Sequence, residues 1–137
     1  MSYYLGKMLR TPFADAVART TEALKKEGFG IITQIDVKAT LKSKIGVDFP
    51  AYQILGACNP TLAYEALKLE NKVGTMLPCN VVVRDAGGGN TEVAAIDPVA
   101  SMQAIDNPEL KRAAENVREK LQKVVDGLST TADSPAR

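Results

Sequence analysis

Three polar-proline pairs, Thr11-Pro12, Asn59-Pro60 and Asn107-Pro108, constrain most strongly what this chain can fold into. Proline at the first helical position gives up an N–H that has no intrahelical partner, and a polar residue before it can cap the neighbouring amides. Each pair therefore marks a helix start. A fourth pair, Asp97-Pro98, terminates a strand-like run. Between these marks the apolar residues change period, and the chain separates into strand-like and helix-like blocks.

Tyr3 to Leu9 reads as a first strand. After Thr11-Pro12, the residues Phe13, Val17, Thr20 and Leu24 form one helical stripe, and Gly28 supplies a left-handed stop. Ile31, Thr33, Ile35 and Val37 then alternate with Ile32, Gln34 and Asp36, the period of a strand covered mainly on one face. Lys38 to Gly46 is basic, with Leu41 and Ile45 on one turn, and reads as a solvated short helix or loop rather than an anion-binding patch. Tyr52, Ile54, Gly56 and Cys58 share the next strand face, opposite Gln53, Leu55 and Ala57. The helix opened by Asn59-Pro60 carries Leu62, Ala66 and Leu69. Cys79, Val81 and Val83 alternate with Asn80, Val82 and Arg84 up to Ala86-Gly87-Gly88-Gly89-Asn90, a hairpin tip, and Thr91 to Ile96 returns. Leu110, Ala114, Val117, Leu121, Val124 and Leu128 give the last helix a continuous apolar stripe. Strand, helix, strand, strand, helix, strand, strand, helix is an α+β order, which a mostly antiparallel sheet with helices on one face satisfies.

A chain of 137 residues suits a single domain, expected over residues 1–128, with 129–137 as a flexible tail. Seventeen basic and sixteen acidic side chains leave no field to gather nucleic acid, so no nucleic-acid partner is expected. No stretch approaches the roughly 20 apolar residues that span a bilayer, and the first residues lack a leader pattern, so the reading is cytoplasmic and not membrane-bound. In a reducing compartment the two cysteines are expected as free thiols. The stripe from Leu110 to Leu128 offers more apolar length than one sheet needs, which predicts a homodimer.

The chain has no histidine, no phosphate-binding glycine motif and no complete catalytic constellation. Its residues therefore name neither a catalytic activity nor a cofactor. The chemistry that is present gathers at two cysteine turns, Ala57-Cys58-Asn59-Pro60 and Pro78-Cys79-Asn80. Cys58 precedes a helix N-terminus, where negative charge is favoured, and is a candidate nucleophile. Cys79 starts a strand behind Pro78, where a side chain can face a cleft, and is expected to be the faster thiol to alkylate. A soft metal such as Cu(I) could take Cys58 and Cys79 with Met102 as a thioether ligand, whereas zinc would need further ligands. Helix capping accounts for Asn59, while Asn80 could orient a ligand carbonyl. Tyr52 shares the predicted face of Cys58, and Asp97 could serve as an acid or base at a strand end. Gly87 to Gly89 precede no helix and fail the context of a phosphate loop.

The segments Tyr52 to Pro60, Leu77-Pro78-Cys79-Asn80-Val81 and Ile96-Asp97-Pro98 occur in order, and through them the chain resembles the domain of unknown function 302 family. It looks like the small bacterial and thermophile-type members that consist of this domain alone. The resemblance implies a curved, mostly antiparallel sheet backed by helices, in a TATA-binding-protein-like arrangement. The family's Pro-Cys-Asn segment falls on Pro78, Cys79 and Asn80, and its Asp-Pro on Asp97 and Pro98. Taken together, the readings favour a small-ligand or soft-metal site at the Pro-Cys-Asn turn, lined by Cys58, Cys79, Asn80, Tyr52 and Asp97. A thiol-dependent redox enzyme or sulfur carrier is the first alternative. A structural, dimeric interaction module is the second.

Overall fold

A computed structural model describes residues 2–129; the expected tail lies outside the described residues apart from Ser129. The elements are β1 (Tyr4–Leu9), α1 (Phe13–Lys26), β2 (Gly30–Asp36), α2 (Val37–Ile45), β3 (Tyr52–Cys58) and α3 (Pro60–Leu69), followed by a 3-10 turn (Val73–Met76). Then come β4 (Cys79–Gly87), β5 (Asn90–Ile96), α4 (Pro98–Ser101) and α5 (Pro108–Asp126). The strands form one curved sheet in the order β1-β5-β4-β3-β2, and each neighbouring pair is antiparallel. This is the α+β architecture expected.

Period-two alternation decides which side chains the helices cover. Leu5, Leu9, Leu55, Ala57, Val81, Val83, Val93 and Ala95 point to one face and are buried with Ala16 and Leu24 of α1 and Leu121, Val124 and Val125 of α5. A second cluster beneath α3 holds Ala66, Val73, Met102, Leu110 and Ala114. On the opposite face the cross-strand row Ile35, Ile54, Val82, Ala94 and Gly6 runs through all five strands, and among the described residues no helix buries it.

Local chemistry explains the boundaries. At the end of α1 the Gly28 N–H donates to Lys25 O at 3.0 Å and the Phe29 N–H to Leu24 O at 2.9 Å, with Gly28 at φ 87°. This paired closure needs a left-handed residue, and glycine adopts it without a Cβ penalty. Asn59 and Asn107 cap as their sequence context implies: Asn59 Oδ1 accepts from the Leu62 N–H at 3.2 Å, and Asn107 Oδ1 from Glu109 and Leu110. The Leu77–Pro78 peptide is cis.

Three expectations are corrected. Thr11 is not the cap of α1: Pro12 holds the cap position with no side-chain bond, and Thr11 is fully buried, its carbonyl accepting from Thr91 Oγ1 at 2.7 Å. Strand β2 ends at Asp36, and Val37 opens α2, because the Asp36 carboxylate accepts from the Ala39 N–H at 2.9 Å and starts a helix there. The Leu110 to Leu128 stripe is not surplus. Leu110, Ala114, Leu121, Val124 and Leu128 are at most 4% exposed, since α5 spans both buried clusters, so the stripe supplies no reason for a dimer.

Candidate functional site

Where β3 ends and β4 begins, α3 and α5 bridge the sheet and leave a cavity of about 300 Å³ between them. The sequence builds it from small residues. Ala63 and Ala66 of α3 and Ala113 and Ala114 of α5 line it, and their short side chains keep the helices from filling the gap. Larger apolar groups close the rest, including Leu62, Leu77, Leu110 and Val117. Cys58, Cys79 and Met102 place three sulfur-bearing side chains in the same wall, and Asn59 is its amide.

The two cysteines meet there through backbone register. Ala57 is the cross-strand partner of Cys79, so Cys79 sits diagonally from Cys58 and shares the buried face of Ala57. Cys58 is the last residue of β3, where the chain turns into the Asn59 cap, and strand alternation no longer dictates its direction. Cys79 is 7% exposed and Cys58 is half-buried. Burial pushes the Cys79 thiol from its ordinary value of 9.0 up to about 11, with the neighbouring Cys58 adding to the rise. Burial and a raised thiol both weigh against the expectation that Cys79 is the faster thiol, because thiolate rather than thiol is the nucleophile.

Asn80 follows Cys79 on β4 and so points to the other face. There it lines a separate, open depression with Tyr3, Tyr4, Tyr52, Arg84 and Glu92. Tyr52 therefore does not join Cys58, and its ring packs edge-on against Phe49 at 6.0 Å. Arg84 Nε donates to Glu92 Oε1 at 2.7 Å across the depression.

Asp97 lines neither space. It is 5% exposed, one oxygen accepts from the Val99 and Ala100 N–H groups, and the other accepts from Arg118 Nε at 3.0 Å. Its neighbour Pro98 lines the cavity instead. The single cleft read from the sequence thus divides into a cavity with Cys58, Cys79 and Met102, an open face with Tyr52 and Asn80, and a structural carboxylate at Asp97. Sequence reasoning missed Ala63 and Ala113; the signal available was small residues recurring on two helices that must face each other. Among the described residues no group of three or more His, Cys, Asp or Glu is placed to hold a metal ion, and no helix is long and apolar enough to cross a membrane.

The family model for "Domain of unknown function DUF302" matches residues 6–128, and the chain belongs to that family. It is similar to an uncharacterized conserved protein DUF302 from Bacillus stearothermophilus, seen in a crystal structure. The two are 31% identical with a TM-score of 0.85, over 92% of this chain and 98% of that one. No curated protein matches the chain. The family's description carries no activity to transfer, so function has to be argued from the cavity.

Proposed function

We propose that this member of the DUF302 family binds a small, uncharged, apolar molecule in the cavity between α3, α5, the end of β3 and the start of β4. The observation that carries the reading is the wall. About 300 Å³ of space is bounded almost wholly by aliphatic side chains, room for roughly ten waters that would find few polar partners. An apolar molecule of similar volume releases them and buries its surface at about 25 cal/mol per Å². Asn59 provides orientation: its Oδ1 is committed to the Leu62 N–H, which leaves the Nδ2 donor for a carbonyl or hydroxyl on the ligand.

The protein works in this reading as a cytoplasmic single domain over residues 1–128 with free thiols, and as a homodimer. The dimer forms through the uncovered sheet face rather than α5. Tyr4 and Met8 at that face are 40% and 50% exposed, and the Arg84–Glu92 pair cancels its own charge. Five strands of about seven residues present roughly 500 Å² of flat area, just under the roughly 600 Å² per partner at which stable interfaces begin, which suits a weak dimer. Tyr52 and Asn80 belong to that contact.

A thiol-dependent redox enzyme or sulfur carrier is the second reading, favoured by two cysteines in one wall. The raised Cys79 value weighs toward binding, because little thiolate is present at neutral pH.

Fluorescence titration with N-phenyl-1-naphthylamine, an uncharged apolar probe, tests the proposal. Gly74 lines the cavity and a Cβ there would meet only Leu67 Cδ2, at 4.0 Å, so Gly74→Phe places a bulky ring at the cavity rim without moving the backbone. Saturable binding of one probe per chain, lost in Gly74→Phe, is expected. Absence of saturation, or equal binding by the variant, would overturn it. Light scattering on Val82→Glu tests the dimer, which is lost if the sheet face forms it; a monomeric parent removes the claim.

A further inference from the structure

We propose that Cys58 and Cys79, which line this cavity together, form a site for a soft monovalent metal ion, Cu(I), held between their two thiolates, with the Met102 thioether of the same lining as the candidate third ligand. Both cysteines of the chain converge on one space, although 20 residues lie between them in sequence. Register brings them there, since Cys79 pairs with the residue before Cys58. The Cys79 thiol is buried and lines this space with Cys58.

Donor chemistry selects the ion. The wall contains no carboxylate and the chain no imidazole. Magnesium and calcium are served by oxygen ligands, and structural zinc takes four N, S or O ligands. Thiolate and thioether together suit Cu(I), which accepts few soft donors. On binding, each thiol gives its proton to solvent and forms a sulfur–copper bond, and no oxidation state changes. The complex carries one net negative charge. The N-terminus of α3 begins beside Cys58 and supplies a partial positive charge to offset it. The proposal does not rest on the apolar-ligand reading.

The test is anaerobic Cu(I) titration of the reduced full chain in competition with bicinchoninate, a colorimetric Cu(I) chelator. One Cu(I) per chain is expected. Removing a group that only positions a metal ligand costs metal sites roughly 10- to 100-fold, so Cys58→Ser and Cys79→Ala should each weaken binding by about 100-fold or more, and Met102→Leu by about tenfold. Cys58 is only half-buried, so its variant keeps the test valid if Cys79→Ala folds poorly. Parent-like affinity in Cys58→Ser, or a parent no tighter than the double variant, would overturn the proposal. An unchanged Met102→Leu removes the thioether. The naphthylamine and Cu(I) titrations of the parent are independent readouts, which separates failure of this site from failure of the apolar pocket.

Discussion

Arg118 Nε donates to Asp97 Oδ2 at 3.0 Å, fastening the middle of α5 to the point where β5 gives way to α4. The same carboxylate caps α4 through Val99 and Ala100, and the Asp97 N–H donates to Tyr3 O at 2.9 Å beside β1. One buried residue thus joins four elements. Its carboxylate is satisfied by the fold itself and is turned away from the cavity.

Asp97→Ala should therefore cost about 3 kcal/mol by chemical denaturation, since a cap and a hydrogen-bonded ion pair are lost together. Arg118 is 42% exposed, solvent screens its charge, and Arg118→Ala should cost about 1 kcal/mol. Probe binding should be unchanged in both. An Asp97→Ala variant of parent stability that no longer binds the probe would return this residue to the functional site.

Cys79 predicts an alkaline stability loss. The unfolded thiol titrates near 9.0 and the folded one at about 11, so the folded state holds the proton more tightly. The stabilising contribution is complete below pH 9 and is lost as pH rises through 11, about 2 to 3 kcal/mol in all. Urea melts across that window should show the extra slope in the parent and not in Cys79→Ala. At neutral pH, iodoacetamide followed by mass spectrometry should label Cys58 first; faster labelling at Cys79 contradicts the burial argument.

Gly56 is a packing position. A Cβ there would collide with Thr33 Oγ1 and approach Pro78 Cγ to 2.9 Å. Gly56→Ala should lower stability by about 1 to 3 kcal/mol, and pairing it with Thr33→Gly should recover part of the loss. A neutral Gly56→Ala melt would show that β2 moves aside freely.

Much of this fold is legible in the residues, because its signals are local. Asn59-Pro60 and Asn107-Pro108 carry their own capping chemistry, alternation from Cys79 to Val83 sorts side chains onto two opposite faces, and Gly88 and Gly89, at φ 63° and 83°, satisfy the hairpin. The division of the site is not local. That Cys79 and Asn80 face opposite ways follows from alternation, yet which face the helices cover depends on where α1 and α5 cross the sheet. Thr11 shows the same limit, since its complete burial and its carbonyl's bond from Thr91, 80 residues away, are long-range features that its local sequence does not carry. Gly56 reads as an ordinary strand residue until Thr33 is brought beside it.

Helix α2 buries none of its side chains and is held by the Asp36 cap and a left-handed Gly46 at φ 70°. A turn of chain secured chiefly by its own ends can open while the sheet and both clusters stay closed. The β2–β3 connection is accordingly a splice point: a peptide tag or a small inserted domain placed after the α2 cap, between Gly46 and Val47, lengthens a loop at modest entropic cost. The cavity on the far side of β3 is left untouched, giving a handle for immobilising the protein with its binding site free.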